Sequence, residues 1–185
     1  MDQPSGKRPL RKNPFFWGAL AGLVLVPAIR PLMRRVPEPP PVAGQMARIA
    51  LTDHAGSAVS SGDLRDHVYL ATLAPTEPQL AALVTLQQRC RRMGVKLWLV
   101  TFAATEARAL AAQIEQRGGE VGGQPQRWLV LAGWPEAIPA RLDRERAVLV
   151  DGDGGLRGAF AIDDRGLDEV FHRSQHVMSL RRSWR

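Results

Sequence analysis

The chain has 185 residues, 45% hydrophobic and 23% charged, which excludes wholesale disorder, collagen-like repeats and a polytopic membrane protein. Its one cysteine, Cys90, excludes an intramolecular disulfide, a CxxC redox pair and a zinc site built on cysteines alone. The net charge of +7 sits at the ends: residues 1–48 carry +6, the tail 173–185 adds +4, and residues 49–172 sum to −3. No RGG tract or aromatic-interleaved basic stripe accompanies it, so no nucleic-acid partner is expected, and the basic ends suit lipid headgroups better.

Residues 1–13 form a basic N-terminal segment. PFFWGALAGLVLVPAI at 14–29 is uncharged and bracketed by Lys7 to Lys12 and by Arg30, Arg34 and Arg35. With Phe15, Phe16 and Trp17 in the interface and Arg30 snorkelling, it predicts a transmembrane signal anchor over 14–33. A cleavable signal peptide is the competing reading, weakened by the lack of an A-x-A-like site. The excess of basic residues ahead of the segment leans toward N-in, C-out, which predicts a single-pass protein of a bacterial inner membrane with its C-terminal domain in the periplasm. The proline-rich stretch VPEPPPVAG, within a linker at 34–45, reads as a stiff spacer ahead of a domain at 46–185.

Within that domain, Arg48–Thr52 and Ala58–Val59 flank the turn signal Asp53-His54-Ala55-Gly56 and predict a leading hairpin. Val68–Leu73 is a short apolar run of the buried parallel type. Thr76 and Gln79 have the form of a capping box, and with the early proline they announce a helix over Pro78–Arg92. Its Leu83, Leu86, Cys90 and Met93 recur at helical spacing and predict one buried face. Gly94 ends that helix. A strand at Lys96–Ala103 and a helix at Thr105–Arg117, closed by Gly118-Gly119, complete a βαβ unit.

Trp128–Ala132 reads as a further strand and Trp134–Leu142 as a short helical turn. The runs at 147–150 and 156–162 form a hairpin across Asp151 to Gly155. A last helix covers Asp164–Leu180. This order predicts an α/β fold: a thioredoxin-like three-layer α/β/α sandwich with a central mixed sheet, preceded by one N-terminal transmembrane helix.

Three stretches, ARIALTDHAGSAVSSGDLRDHVYLATL at 47–73, RWLVLAGWPEAIPARL at 127–142 and AVLVDGDGGLRGAF at 147–160, resemble the Sco/SenC family. Its members are membrane-anchored thioredoxin-like proteins that serve copper insertion during cytochrome c oxidase assembly. The resemblance implies two cysteines in a CxxxC loop after the first core strand and a histidine before the hairpin, since two thiolates and an imidazole suit copper. The chain departs from that pattern at every ligand. The loop reads Ala74-Pro75-Thr76-Glu77-Pro78, and counting back from the hairpin places Asp143 where the family shows its histidine. No cofactor is therefore expected; copper is the family's ligand, but its ligands are missing.

Other candidates are weighed by position. Cys90 is a weak catalytic candidate, because it sits on the apolar helix face near a C-terminus, where the dipole opposes a thiolate. Glu77 suits helix-dipole stabilisation. His172 and His176 are spaced i, i+4 with Met178 nearby and are weak metal candidates, better explained as a polar helix face. Asp151 and Asp153 fit a hairpin turn better than a calcium loop, and His54 and His67 have turn or surface roles. No Ser-His-Asp order, phosphate-binding glycine pattern or HExxH motif occurs. The reading leans away from an enzyme. It favours a degenerate Sco/SenC-like accessory module with a protein partner, the alternatives being a single-cysteine oxidoreductase or peroxiredoxin-like enzyme using Cys90, and a metal handler using His172 and His176.

Overall fold

The structure, a computed structural model, describes residues 41–104, 106–122, 127–139 and 141–182. These belong to one compact unit, Pro39–Arg185. The expected basic segment 1–13, the anchor 14–33 and residues 34–40 of the linker lie outside the described residues. Among the described residues no helix is long and apolar enough to cross a membrane. The longest, Asp164–Arg182, carries Asp164, Arg165, Asp168, Glu169 and Arg173 along its length, and burying such charges in hydrocarbon is costly. The expected transmembrane helix is corrected accordingly, and with it the membrane partner and the single-pass inner-membrane placement with a periplasmic domain.

Seven strands form one mixed sheet: β1 (Ala50–Asp53), β2 (Ala58–Ser60), β3 (Tyr69–Leu73), β4 (Trp98–Ala103), β5 (Trp128–Ala132), β6 (Arg146–Val150) and β7 (Leu156–Ala161). Their spatial order is β2-β1-β5-β4-β3-β6-β7. β3, β4 and β5 run parallel, while β1 pairs with β5, β6 with β3 and β7 with β6 in antiparallel fashion. Helix α1 (Glu77–Met93) links β3 to β4, α2 (Ala107–Gln116) follows β4, and α3 (Asp164–Arg182) closes the chain.

The two crossovers step across the sheet in the same direction. Right-handed connections then place α1 and α2 on the same face. The packing agrees: Leu83, Val84 and Cys90 of α1, Ala111 and Ile114 of α2, and Leu167 and Val170 of α3 share one core with Leu70, Leu99, Val130 and Leu149 of the sheet. The alternate strand residues, Tyr69, Trp98, Phe102, Leu131 and Val148, face the other way and meet Ile49, Leu64 and Leu142. Among the described residues no helix covers that face. Where three layers were expected, the described residues form two, sheet and helices, with irregular segments closing the second side.

Two other expectations differ. Over the expected helical turn Trp134–Leu142, the described residues, 134–139 and 141–142, form no helix; they are bends and a turn, with Leu142 N–H donating to Pro139 O at 2.8 Å. Pro135 and Pro139 are the reason, since each removes a helical donor and their spacing leaves no uninterrupted turn. Met93 is 66% exposed, because α1 ends there and Gly94 turns the chain through φ +65°, carrying the last residue of the apolar stripe past the core.

Candidate functional site

The C-terminal ends of the parallel strands bring the two expected family positions together. β3 is buried throughout, so its chain leaves the core only at Ala74, which takes φ +33°. A side-chain-bearing residue is strained there by about 1–3 kcal/mol. The ladder persists to this point, with Ala74 N–H donating to Phe102 O at 2.9 Å. Gln79 Oε1 accepts the Thr76 N–H at 2.7 Å and the Thr76 hydroxyl at 2.9 Å, pinning the start of α1. Its Nε2 then reaches across to donate to Arg144 O at 2.8 Å. That bond ties the 74–78 loop to the 143–146 loop.

The groups displayed there are spent on each other. Asp143 Oδ1 accepts the Glu145 and Arg146 N–H groups at 2.9 and 2.7 Å, and Oδ2 accepts both Nε and Nη2 of Arg146 at 2.8 and 2.6 Å. The Arg146 hydrogen bonds, ahead of the local backbone donors, hold its carboxyl below the usual range. Glu77 is paired with Arg117 at the end of α2, beside the positive end of α1's dipole. The donor set at this end is therefore two ion-paired carboxylates and no sulfur. It does not fit a soft copper ion, which prefers thiolate, thioether and imidazole.

Cys90 lies about 20 Å along α1 from its first residue, at 1.5 Å per residue. It is 1% exposed, and burial pushes its thiol up to about 12 despite the opposing charge of Arg89. At neutral pH such a thiol holds its proton and meets no solvent reagent. His172 is exposed, with Nε2 3.8 Å from Asp168 Oδ2, and His176 is half-buried. Met178 packs against the helix-side core, two residues and so about 200° round the helix from His176. The three are not brought to one point, and among the described residues no group of three or more His, Cys, Asp or Glu could hold a metal ion.

The sequence reading missed the polar links that hold this end in place. Thr72 and Thr101, paired in register, share a hydroxyl hydrogen bond at 2.9 Å inside the helix-side core, and Trp128 Nε1 donates to Thr101 Oγ1 at 3.0 Å. Two threonines inside otherwise apolar strand runs were the available signal, since a buried hydroxyl needs a partner.

No protein-family model and no curated protein matches the chain. Solved structures do. A SCO1/SenC family lipoprotein from Bacillus anthracis is similar at TM-score 0.57 and 13% identity, over 72% of this chain and 94% of that one. BsSco, described as a member of the Sco family of cytochrome c oxidase assembly proteins, is similar at TM-score 0.57 and 17% identity, over 76% and 96%. A thiol peroxidase from Chromobacterium violaceum is similar at TM-score 0.51 and 14% identity, over 75% and 88%. Identities this low show the fold alone: a thioredoxin-like mixed α/β sheet, which hosts more than one chemistry.

Proposed function

We propose that this chain is a Sco/SenC-like protein that keeps the thioredoxin-type scaffold without the copper or disulfide chemistry, and that it serves as an accessory or interaction module in respiratory cytochrome oxidase assembly or copper homeostasis, acting through a protein partner. The observation that carries the reading is the state of the family position. The loop after β3 offers Ala74 and Pro78 in place of a cysteine pair, and Asp143, held by Arg146, stands opposite it across the Gln79–Arg144 bond. The similar solved structures support the scaffold half of the proposal, and the stretches at 47–73, 127–142 and 147–160 support the family half. The one-cysteine enzyme fares worse, because Cys90 is sealed in the core.

A paired copper titration tests this. The full chain is titrated with Cu(I) against a competing chelator, beside the triple variant Ala74→Cys, Pro78→Cys, Asp143→His. The native chain is expected to bind no equivalent at submicromolar affinity, and the folded variant to gain one. Tight stoichiometric binding by the native chain would overturn the claim of a lost site. A folded variant that binds no better than the native chain would remove the assignment of this loop as the family position.

A further inference from the structure

β7 is the last strand of the sheet, and among the described residues only its beginning is covered by another backbone. Ala43 N–H donates to Leu156 O at 2.8 Å, Leu156 N–H to Gly44 O at 2.9 Å, and Met46 N–H to Gly154 O at 2.8 Å. Residues 43–46 are thus a short antiparallel addition to the outer edge of the β6–β7 hairpin, with Gln45 bridging Gly155. Continued upstream, that path would run along Arg157 to Ala161. Val42 comes next, then Pro41, Pro40 and Pro39, and prolines have no N–H to pair with a strand.

The register shows which groups the edge leaves outward. Ile162 N–H donates to Glu145 O at 2.9 Å, one residue beyond the Arg146–Ala161 pair, so that pair is of the non-hydrogen-bonded kind. By alternation the Val148–Ala159 pair is too, and Ala159 directs both its N–H and its C=O away from β6. At Ala161 the first turn of α3 closes in: a Cβ on Gly166 would stand 2.2 Å from Ala161 O. The open stretch is therefore Arg157 to Phe160, about 13 Å of strand.

A cleft of about 540 Å³ runs beside this stretch, between Pro41 and Ala43 on one side and α3 on the other. Its charged lining is Arg141, Arg157, Arg165 and Arg173 against Asp163 and Glu169. Two of these are internally satisfied, Glu169 by Arg173 and Asp163 by Gly166 N–H at 2.7 Å; Arg157 is held by Asp151. The balance is cationic.

We propose that this edge is a docking groove for an extended acidic peptide segment of a partner protein, which adds to β7 through the N–H and C=O of Ala159 and places its carboxylates against Arg165 and Arg141. Strand addition gives affinity through the main chain, and the flanking charges give selectivity. The chain's own residues 1–40 are a poor occupant: they carry seven Lys/Arg against two acidic groups and end in prolines. A second copy paired β7 to β7 about a two-fold axis would bring two clefts of the same net positive charge side by side, a repulsive arrangement.

The test uses the full chain and two fluorescent five-residue probes, alternating Glu-Val and alternating Lys-Val, followed by polarisation and by amide exchange. The acidic probe is expected to bind, to weaken as salt rises, and to slow exchange at Ala159. The lysine probe is expected not to bind. Arg165→Glu and Ala159→Pro should each weaken the acidic probe by about tenfold, the range of a lost charged or main-chain hydrogen bond. Absence of acidic binding, equal binding by both variants, unchanged exchange at Ala159 in the native chain, or equal displacement by a single-stranded oligonucleotide would each overturn the proposal. The exchange measurement needs no variant, so it decides the matter even where Ala159→Pro fails to fold.

Discussion

The two faces of the sheet are closed by different physics. On the helix side, three amphipathic helices lay leucine, valine and alanine side chains over Leu70, Leu99 and Val130, and the contact is broad and apolar. On the other side short irregular segments do the covering, and they are pinned by polar side chains bonding to backbone and by single backbone–backbone hydrogen bonds. Asp63 Oδ2 accepts Ser60 N–H at 2.8 Å, Ile49 N–H donates to Ser61 Oγ at 2.7 Å, and Asp66 N–H reaches Gly152 O at 2.9 Å. A helix satisfies its own backbone and needs only an apolar stripe to dock, whereas a loop must find a partner for each buried N–H and C=O. The helix side therefore rests on volume, and the loop side on a few well-placed acceptors.

That contrast is breakable by mutation. The largest effect is expected on the helix side from Leu83→Ala. Leu83 is fully buried and central to α1, so its removal should cost about 3–4 kcal/mol by the cavity relation, read as a lower urea midpoint with unchanged slope. A loss under about 1 kcal/mol would mean that the helix layer is loosely packed.

Next comes Asp151→Ala on the loop side. The Asp151 carboxylate is buried and accepts Gly155 N–H at 2.7 Å, Asp153 N–H at 3.0 Å and Arg157 Nε at 2.6 Å. Removing it breaks the Arg157 ion pair and two hydrogen bonds from backbone amides at once, for about 3 kcal/mol. Proteolysis should then cut the hairpin turn first. A variant as stable as the native chain would show that the loop side does not depend on such acceptors.

The smallest effect is pH-dependent. His67 stacks on Trp98 at 3.6 Å between centroids, and Arg127 lies over the same indole at 5.7 Å. Burial first, and the Arg127 charge second, hold the His67 imidazole below its ordinary value of 6.5. The unfolded chain then binds a proton that the folded chain refuses, so stability is full above about 6.5 and falls as pH drops toward the lowered folded value. Melting followed from pH 7.5 to 5 should show this slope, and His67→Asn should flatten it. An unchanged slope in the variant would place its origin elsewhere.

Much of the site was legible before the fold, but not its connections. Thr76 and Gln79 mark the start of α1 because a capping pair is a local device, and Gly94 marks its end for the same reason. The hairpin at Asp151 to Gly155 is equally local, as turn residues act over four positions. Asp143 is different. Its spacing from the hairpin could be counted, yet its capture by Arg146 depends on the conformation of the 143–146 loop, and the bond from Gln79 to Arg144 joins residues 65 apart in the chain. Met93 misled because a periodic stripe does not announce the last turn that still has a core beneath it.

Composition and periodicity by themselves determined that the chain has one cysteine and no cysteine pair, that strands alternate with helices, and where α1 starts and stops to within a residue. Those are properties of residue count and of backbone preference over a few positions. Only the tertiary structure decided that all three described helices share one face, that Cys90 is sealed 1% exposed within it, and that β7 ends the sheet with Ala159 turned outward. Each of these follows from the handedness of the crossovers and the order in which strands pair, which no local stretch of sequence contains.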